Sequence, residues 1–259
     1  KQLGNSPDAL GLIDDFGADA VRVGMMLSSA AGNDLLFDES LCQQGKNFSN
    51  KIWNAYRLVD GWEVDESLQM SELNLSAIAW YKQLFSKTLA TVDDHFNKYR
   101  ISDALMSLYK LIWDDFCSWF LEMIKPAYSA SIDRGTLVAV KNLFEDNLRV
   151  LHPFMPFITE EIYQLLKIGS SEACVISDYP KKQTAEIFVD EALELVTEVR
   201  AMRSAQGLSP KEKLQVFVET NQGEMWTSLE AMISKLANVD LTYTGKPEEA
   251  HKQCSVSRD

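Results

Sequence analysis

Ser102-Asp103-Ala104-Leu105-Met106-Ser107-Leu108-Tyr109-Lys110-Leu111-Ile112-Trp113-Asp114-Asp115-Phe116-Cys117-Ser118-Trp119-Phe120-Leu121-Glu122-Met123-Ile124-Lys125-Pro126 is the stretch that decides the fold. Leu105, Leu108, Tyr109, Ile112, Trp113, Phe116, Trp119, Phe120 and Met123 recur in it at three- and four-residue steps, the period of an α-helix. So wide an apolar face predicts a helix buried on several sides. Ser102 is a suitable N-cap and Pro126 a stop. The same spacing assigns Trp113, Phe116, Trp119 and Phe120 to the core rather than to a ligand pocket. Asp114 and Asp115 point about 100° apart on such a helix, so they read as a solvated pair and not as paired catalytic acids.

Helices flank this one on both sides. Upstream, Pro7 and Asp8 sit where a short helix can begin and Gly17 closes it. Ala18 to Leu27 forms another, broken by Gly32-Asn33-Asp34. A helix over 40–60 carries Leu41, Phe48, Ile52, Tyr56 and Val59 inward; 62–75 reads as a linker; Ile78 to Tyr99 is the third long helix. Downstream, a helix over 134–151 leads into His152-Pro153-Phe154-Met155-Pro156-Phe157, a rigid two-proline connector. Thr159-Glu160-Glu161 then opens a helix with acids at its positive end. After Tyr179-Pro180 the pattern changes: helix over 187–204, strand over 214–219, helix over 224–236, strand over 239–243, then a polar tail expected to fray. The expectation is a mainly α helical bundle with a small C-terminal α+β extension, divided as 1–36, 37–178 and 179–259.

The chain has 259 residues, 46% hydrophobic and 24% charged, with a formal net charge of -13. That acidity argues against non-specific nucleic-acid binding. No apolar run approaches the ~20 residues of a membrane span, and no signal segment opens the chain. Cys42, Cys117, Cys174 and Cys254 are far apart and form no Cys-x-x-Cys pair, which suits a reducing compartment without a zinc site. His95, His152 and His251 are too scattered to suggest a metal cluster. His152 reads as a hydrogen-bonded structural histidine, since no partner nucleophile is evident.

Lys46-Asn47-Phe48-Ser49-Asn50-Lys51-Ile52-Trp53-Asn54-Ala55-Tyr56-Arg57 departs from the acidic bias, with three cations, three asparagines, three aromatics and no acid. Phosphates need cations, and unpaired bases need flat rings and amides, so this segment is the candidate RNA contact. Lys46, Lys51 and Arg57 suit phosphates, Trp53 suits stacking, and Asn50 and Asn54 suit base edges. The competing reading is a solvated face with Trp53 partly in the core. Arg200, Arg203, Lys211 and Lys213 form a second basic cluster that either touches an RNA stem or flanks a turn.

Several segments together resemble the class I aminoacyl-tRNA synthetases, and within them the valyl branch. Lys1-Gln2-Leu3-Gly4-Asn5-Ser6 is similar to the end of the family's Lys-Met-Ser-Lys-Ser loop, with Lys1 as its second lysine. Phe16-Gly17-Ala18-Asp19-Ala20-Val21-Arg22 resembles Tyr-Gly-Ala-Asp-Ala-Leu-Arg. The stretch Ala31 to Glu39, the segment Lys46 to Arg57, Cys117-Ser118-Trp119-Phe120-Leu121-Glu122 and Leu151 to Glu161 each resemble family segments. So does the passage from Arg200-Ala201-Met202-Arg203 through Leu208 to Leu214. The match runs in consistent order over roughly 1–243.

The nucleotide-binding sheet, the His-x-Gly-His motif, the editing domain and a terminal coiled coil are missing from this sequence, and no catalytic set is present in it. The resemblance therefore implies an excised helical domain that binds the anticodon stem-loop of tRNA(Val). It implies a cytoplasmic, monomeric ligase as the parent, with ATP as its co-substrate and Lys1 in its ATP loop, and neither a metal nor a cofactor in the fragment. The tRNA-facing residues it implies are Lys46, Asn50, Lys51, Trp53, Asn54, Arg57, Arg200 and Arg203. An isoleucyl sister domain and a helical protein-interaction scaffold are the competing readings.

Overall fold

The computed structural model describes residues 8–28, 37–166, 168, 171–181, 190–218 and 223–242. Lys1, the Gly32-Asn33-Asp34 break, Gly169, one end each of three expected extension elements (187–189, 219 and 243) and the polar tail lie outside the described residues. Ten α-helical segments and two short strands follow in order among the described residues: α1 Ala9–Phe16, α2 Ala18–Ser28, α3 Glu39–Asp60, α4 Glu72–Asn97, α5 Ile101–Lys110, a π-helical segment Leu111–Phe120, α6 Leu121–Ile124, α7 Arg134–Leu151, α8 Pro156–Leu166, a 3-10 turn Cys174–Ile176, α9 Asp190–Ala205, β1 Leu214–Phe217, α10 Gly223–Ala237 and β2 Val239–Thr242. The fold is mainly α, a helical bundle with a small α+β extension.

The expected central helix runs unbroken from α5 through the π segment to α6, but its period is not uniform. In a π-helix each N–H bonds five residues back. Inward positions there step by four and five, as in Leu111, Phe116 and Leu121 or Ile112, Phe116 and Phe120, all buried. Trp113 and Trp119 pack against the core as expected but are only partly buried, so they stand at its edge. The Ser118 hydroxyl donates to the Trp113 carbonyl (2.9 Å), a bond within the widened turn. Tyr81 of α4 stacks on Phe120 (4.8 Å between centroids) and donates its hydroxyl to Asn147 Oδ1 of α7 (2.8 Å), so the bundle centre is aromatic with one satisfied polar latch. Burying each such aromatic or leucine contributes about 1.5–3 kcal/mol relative to exposure.

Helix boundaries differ from the sequence expectation where capping decides them. α4 starts at Glu72, six residues before the expected start at Ile78, because the Ser71 hydroxyl accepts from Asn74 N (3.1 Å). Ser102 does not cap α5; its hydroxyl donates to the Met26 carbonyl near the end of α2 (2.6 Å). The linker before α4 is pinned by a bridge between Val64 and Ile132, with Asp65 N donating to Ile132 O (3.0 Å) and Ile132 N to Glu63 O (2.8 Å).

Two segments far apart in sequence lock the bundle to α2. Asp19, 7% exposed, accepts from Phe157 N (3.2 Å) and Ile158 N (2.7 Å) and so caps α8 from another helix. Arg22 donates to the Pro153 and Phe154 carbonyls (2.8 and 3.0 Å). His152 Nδ1 lies 2.8 Å from Thr159 Oγ1, whose hydroxyl donates to Met155 O, so the ring supplies the N–H to Thr159. α8 begins at Pro156, not at Thr159, and has no acid in its first turn, so Glu160 does not match the helix charge as expected; it accepts from Cys174 N (2.9 Å) and holds the 3-10 turn against α8.

In the extension, β1 and β2 pair in parallel, Leu214 opposite Val239 through Phe217 opposite Thr242, with α10 as the crossover. Lys235 of α10 donates to the Met123 and Lys125 carbonyls (2.6 and 2.8 Å) at the end of α6, which ties the extension to the bundle.

Candidate nucleic-acid interface

α3 is amphipathic for a reason legible residue by residue. Its inward side packs Cys42, Phe48, Ile52, Ala55, Tyr56 and Val59. Gly45 lets α2 approach so closely that a Cβ there would sit 2.7 Å from the Ala20 carbonyl oxygen. The outward side carries Gln43, Asn47, Asn50, Asn54 and Arg57, all exposed. These positions step by four, three, four and three, which holds them on one stripe roughly 21 Å long at ~1.5 Å per residue. Ser40 to Val59 holds no Asp or Glu in a chain with 38 of them.

The sequence-derived cations divide. Arg57, in the last turn, has no side-chain partner among the described residues. Lys46 lies on the α1 flank, donating to the Asp15 carbonyl (2.8 Å) with its amine 5.9 Å from the Phe16 ring. Lys51 lies on the opposite flank, 5.4 Å over the Trp113 ring. None of the three is paired with a carboxylate among the described residues. They are parted, however, so the ledge is a carboxamide stripe ending in Arg57 and bordered by two lysines. Trp53 is half-buried beside Tyr56 (5.5 Å between ring centroids) and borders the stripe. Gln43 and Asn47 extend the stripe; Gln43 Nε2 donates to Asn47 Oδ1 (2.9 Å). The sequence reading passed over both, although their helical step from Asn50 was visible.

The second basic cluster is corrected. Arg203 is 5% exposed and donates to four carbonyls: Ser209 (2.7 Å), Glu212 (2.6 Å), Ala237 (3.0 Å) and Asn238 (3.2 Å). It clamps the β1 entry to the end of α10 and is buried away from any phosphate. Arg200 donates through Nε and Nη2 to Leu236 O and lies 5.0 Å over the Trp119 ring, and burial lowers its pKa. Lys213 pairs with Asp240 (2.7 Å). The two arginines meet at the C-terminus of α10, where carbonyls attract positive charge.

Among the described residues, no group of three or more His, Cys, Asp or Glu is placed to hold a metal ion. Burial pushes the Cys117 thiol up to about 12 and the Cys174 thiol up to about 11, far from the thiolate a nucleophile needs. No described helix is long and apolar enough to cross a membrane.

Comparison with known proteins adds the following. A family profile described as the anticodon-binding domain of tRNA ligase matches residues 79–218. A valine–tRNA ligase of Christiangramia forsetii is 51% identical over 244 residues, covering 92% of this chain and 28% of that protein. The valine–tRNA ligase of Parabacteroides distasonis is 45% identical over 254 residues, covering 96% of this chain and 28% of that protein. The chain thus spans little more than a quarter of the length of these relatives. Among solved structures, the Agrobacterium radiobacter K84 LeuRS in a ternary complex with tRNA and LeuAMS superposes with a TM-score of 0.51 at 17% identity, covering 79% of this chain and 28% of that one. This likeness concerns the fold.

Proposed function

Since the chain belongs to the family of anticodon-binding domains of tRNA ligases, we propose that it is the tRNA-reading part of a valine–tRNA ligase and binds the anticodon stem-loop of tRNA(Val) through α3. The observation that carries this reading is the exposed, acid-free stripe from Gln43 to Arg57 on a protein that is otherwise strongly acidic. Arg57, the one cation on that stripe, suits a phosphate. Lys46 and Lys51 add positive potential from its flanks. Asn50 and Asn54 offer both a donor and an acceptor to unpaired base edges, and Trp53 presents a ring edge beside them. Phosphate contacts would place the loop and the amides would discriminate among bases.

In the longer protein the reaction would join valine to tRNA(Val) at the expense of ATP, with Lys1 in the loop facing the ATP phosphates. The reading extends to a cytoplasmic enzyme acting as a monomer. In this reading the chain's own contribution is recognition.

Titration of the chain with tRNA(Val), tRNA(Ile) and a tRNA(Val) of altered anticodon, each at two salt concentrations, tests the reading. Affinity is expected to be highest for tRNA(Val), to fall on anticodon change, and to weaken as salt rises. Arg57→Ala is expected to weaken binding to every tRNA and to flatten the salt slope by about one unit. Equal affinity for all three RNAs would reject anticodon reading, and an Arg57→Ala variant with an unchanged dissociation constant would remove Arg57 from it.

A further inference from the structure

A second surface lies where the linker into α4, the loop from α6 to α7 and the last turn of α10 meet. Between them is a groove of about 580 Å³, within the range of small-ligand sites. Its polar rim is Gln69, Lys125, Tyr128, Ser131 and Lys235, and Leu68, Leu73 and Pro126 give it apolar walls. Asp133 is the one carboxylate among the lining residues, and its oxygen is already committed to capping α7 through Thr136 N (2.7 Å).

Three features distinguish the groove from an ordinary surface depression. Lys235 donates to two neutral carbonyls, which satisfy hydrogen bonds but not its charge. Lys125 is close enough that its like charge, added to burial, lowers the Lys235 pKa; Glu122, 2.6 Å from the Lys125 amine, offsets part of this. An anion between the two amines would relieve that repulsion. Tyr128 is fully exposed. It is held out by a turn in which Ala130 N donates to Ala127 O (2.9 Å) and Ser129 takes the left-handed conformation (φ 60°). A non-glycine residue there is uncommon and costs energy, so the turn displays the ring at a cost to the fold. Gln69, Ser131 and the Tyr128 hydroxyl have no hydrogen-bond partner among the described residues.

We propose that this groove binds a single unpaired nucleotide of an RNA strand, with the phosphate between Lys125 and Lys235, the base against Tyr128, and Gln69 and Ser131 reading its polar edge. The inference rests on the RNA-binding reading above and adds a contact separate from the α3 stripe. A lysine pair supplies the charge, an aromatic ring supplies a sequence-tolerant stacking platform, and uncommitted amide and hydroxyl groups supply discrimination.

The test titrates the chain with a fluorescently labelled single-stranded oligoribonucleotide, with intact tRNA(Val), and with adenosine monophosphate, using Tyr128→Ala, Tyr128→Phe, Lys125→Ala and Arg57→Ala. Tyr128 and Lys125 are peripheral to the core, and thermal melting checks that each variant folds. Tyr128→Ala is expected to weaken RNA binding by roughly 5- to 150-fold, the ratio that ~1–3 kcal/mol of stacking corresponds to. Tyr128→Phe should keep most of the affinity. Lys125→Ala should weaken binding and reduce the salt slope by roughly 0.7, the single-strand value for one phosphate. Unchanged RNA affinity in both Tyr128→Ala and Lys125→Ala, with loss in Arg57→Ala, would overturn the groove and leave the α3 reading standing. Absence of RNA binding by the intact chain would overturn both. Binding of the mononucleotide without any RNA would overturn the assignment to a strand.

Discussion

Arg203→Met separates a structural clamp from an RNA contact, because the two roles predict opposite readouts. Arg203 is almost wholly buried and serves four carbonyls. Removing it does not strand all four equally. Glu212 O keeps the Asn238 side-chain amide as a donor (3.2 Å), and Ser209 is exposed, so water can replace its lost partner. Ala237 is buried, and its carbonyl meets the full cost of an unmet acceptor, about 1–3 kcal/mol. The lost charge-assisted bonds to the other carbonyls add about 1–2 kcal/mol after hydration is counted. The expected destabilisation is therefore about 2–5 kcal/mol. At ~2–3 kcal/mol per molar urea, that moves the unfolding midpoint down by roughly 0.7–2.5 M. Urea titration followed by far-ultraviolet circular dichroism, with tryptophan fluorescence in parallel, measures it. Trp119, under the Arg200 guanidinium, reports on the same corner. At low denaturant, tRNA affinity should be unchanged in the folded fraction. A midpoint shift below about 0.3 M, or weakened tRNA binding with stability intact, would refute the clamp.

Other consequences are open to similar measurements. Asp19→Ala removes the cap that α2 lends to α8 and should cost about 1–2 kcal/mol in the same urea assay; no loss would mean that water replaces the carboxylate. Gly45→Ala places a methyl 2.7 Å from the Ala20 carbonyl oxygen and 2.8 Å from Ala20 Cα, backbone atoms that cannot step aside, so a loss of at least about 1–3 kcal/mol is expected. A midpoint equal to that of the parent chain would show that α2 and α3 separate freely. Burial lowers the His152 pKa, against the opposing pull of Glu160 and Asp19. The unfolded chain therefore binds more protons than the folded one between the folded pKa and the ordinary value near 6.5. Stability should fall as pH drops through ~6.5 and level off below the folded pKa, and His152→Asn should remove that part of the slope.

The pH profile has a second contributor of opposite sign. Burial outweighs the two backbone N–H bonds to Asp19 and raises its carboxyl above the usual range. Its contribution therefore declines as pH rises from the ordinary carboxylate value to the raised one. The neutral form of His152 and the protonated form of Asp19 are both the less charged states, as expected of groups drawn into the joint between α2 and α8. Comparing His152→Asn with the parent between pH 5 and 7.5 isolates the histidine, because the carboxylates titrate mostly below that range.

By itself the sequence determined the helical class, most helix positions, the α+β change after Tyr179 and the family to which the chain belongs. These are carried by local periodicity, caps and ordered motifs, all of which act within a few residues of one another. It also marked α3 as the acid-free helix, since composition needs no coordinates. Tertiary structure alone decided which cations are available. Arg57 and Arg203 are the same residue type in similarly basic neighbourhoods, yet one stands in solvent and the other is consumed by four carbonyls brought together from two segments. The partial burial of Trp113 and Trp119, the capping of α8 by Asp19 and the groove beside Tyr128 likewise depend on chain segments that meet only in the folded state. A side chain's intrinsic chemistry is written in its own letter, but its hydration and its partners are set by whatever the rest of the chain packs against it.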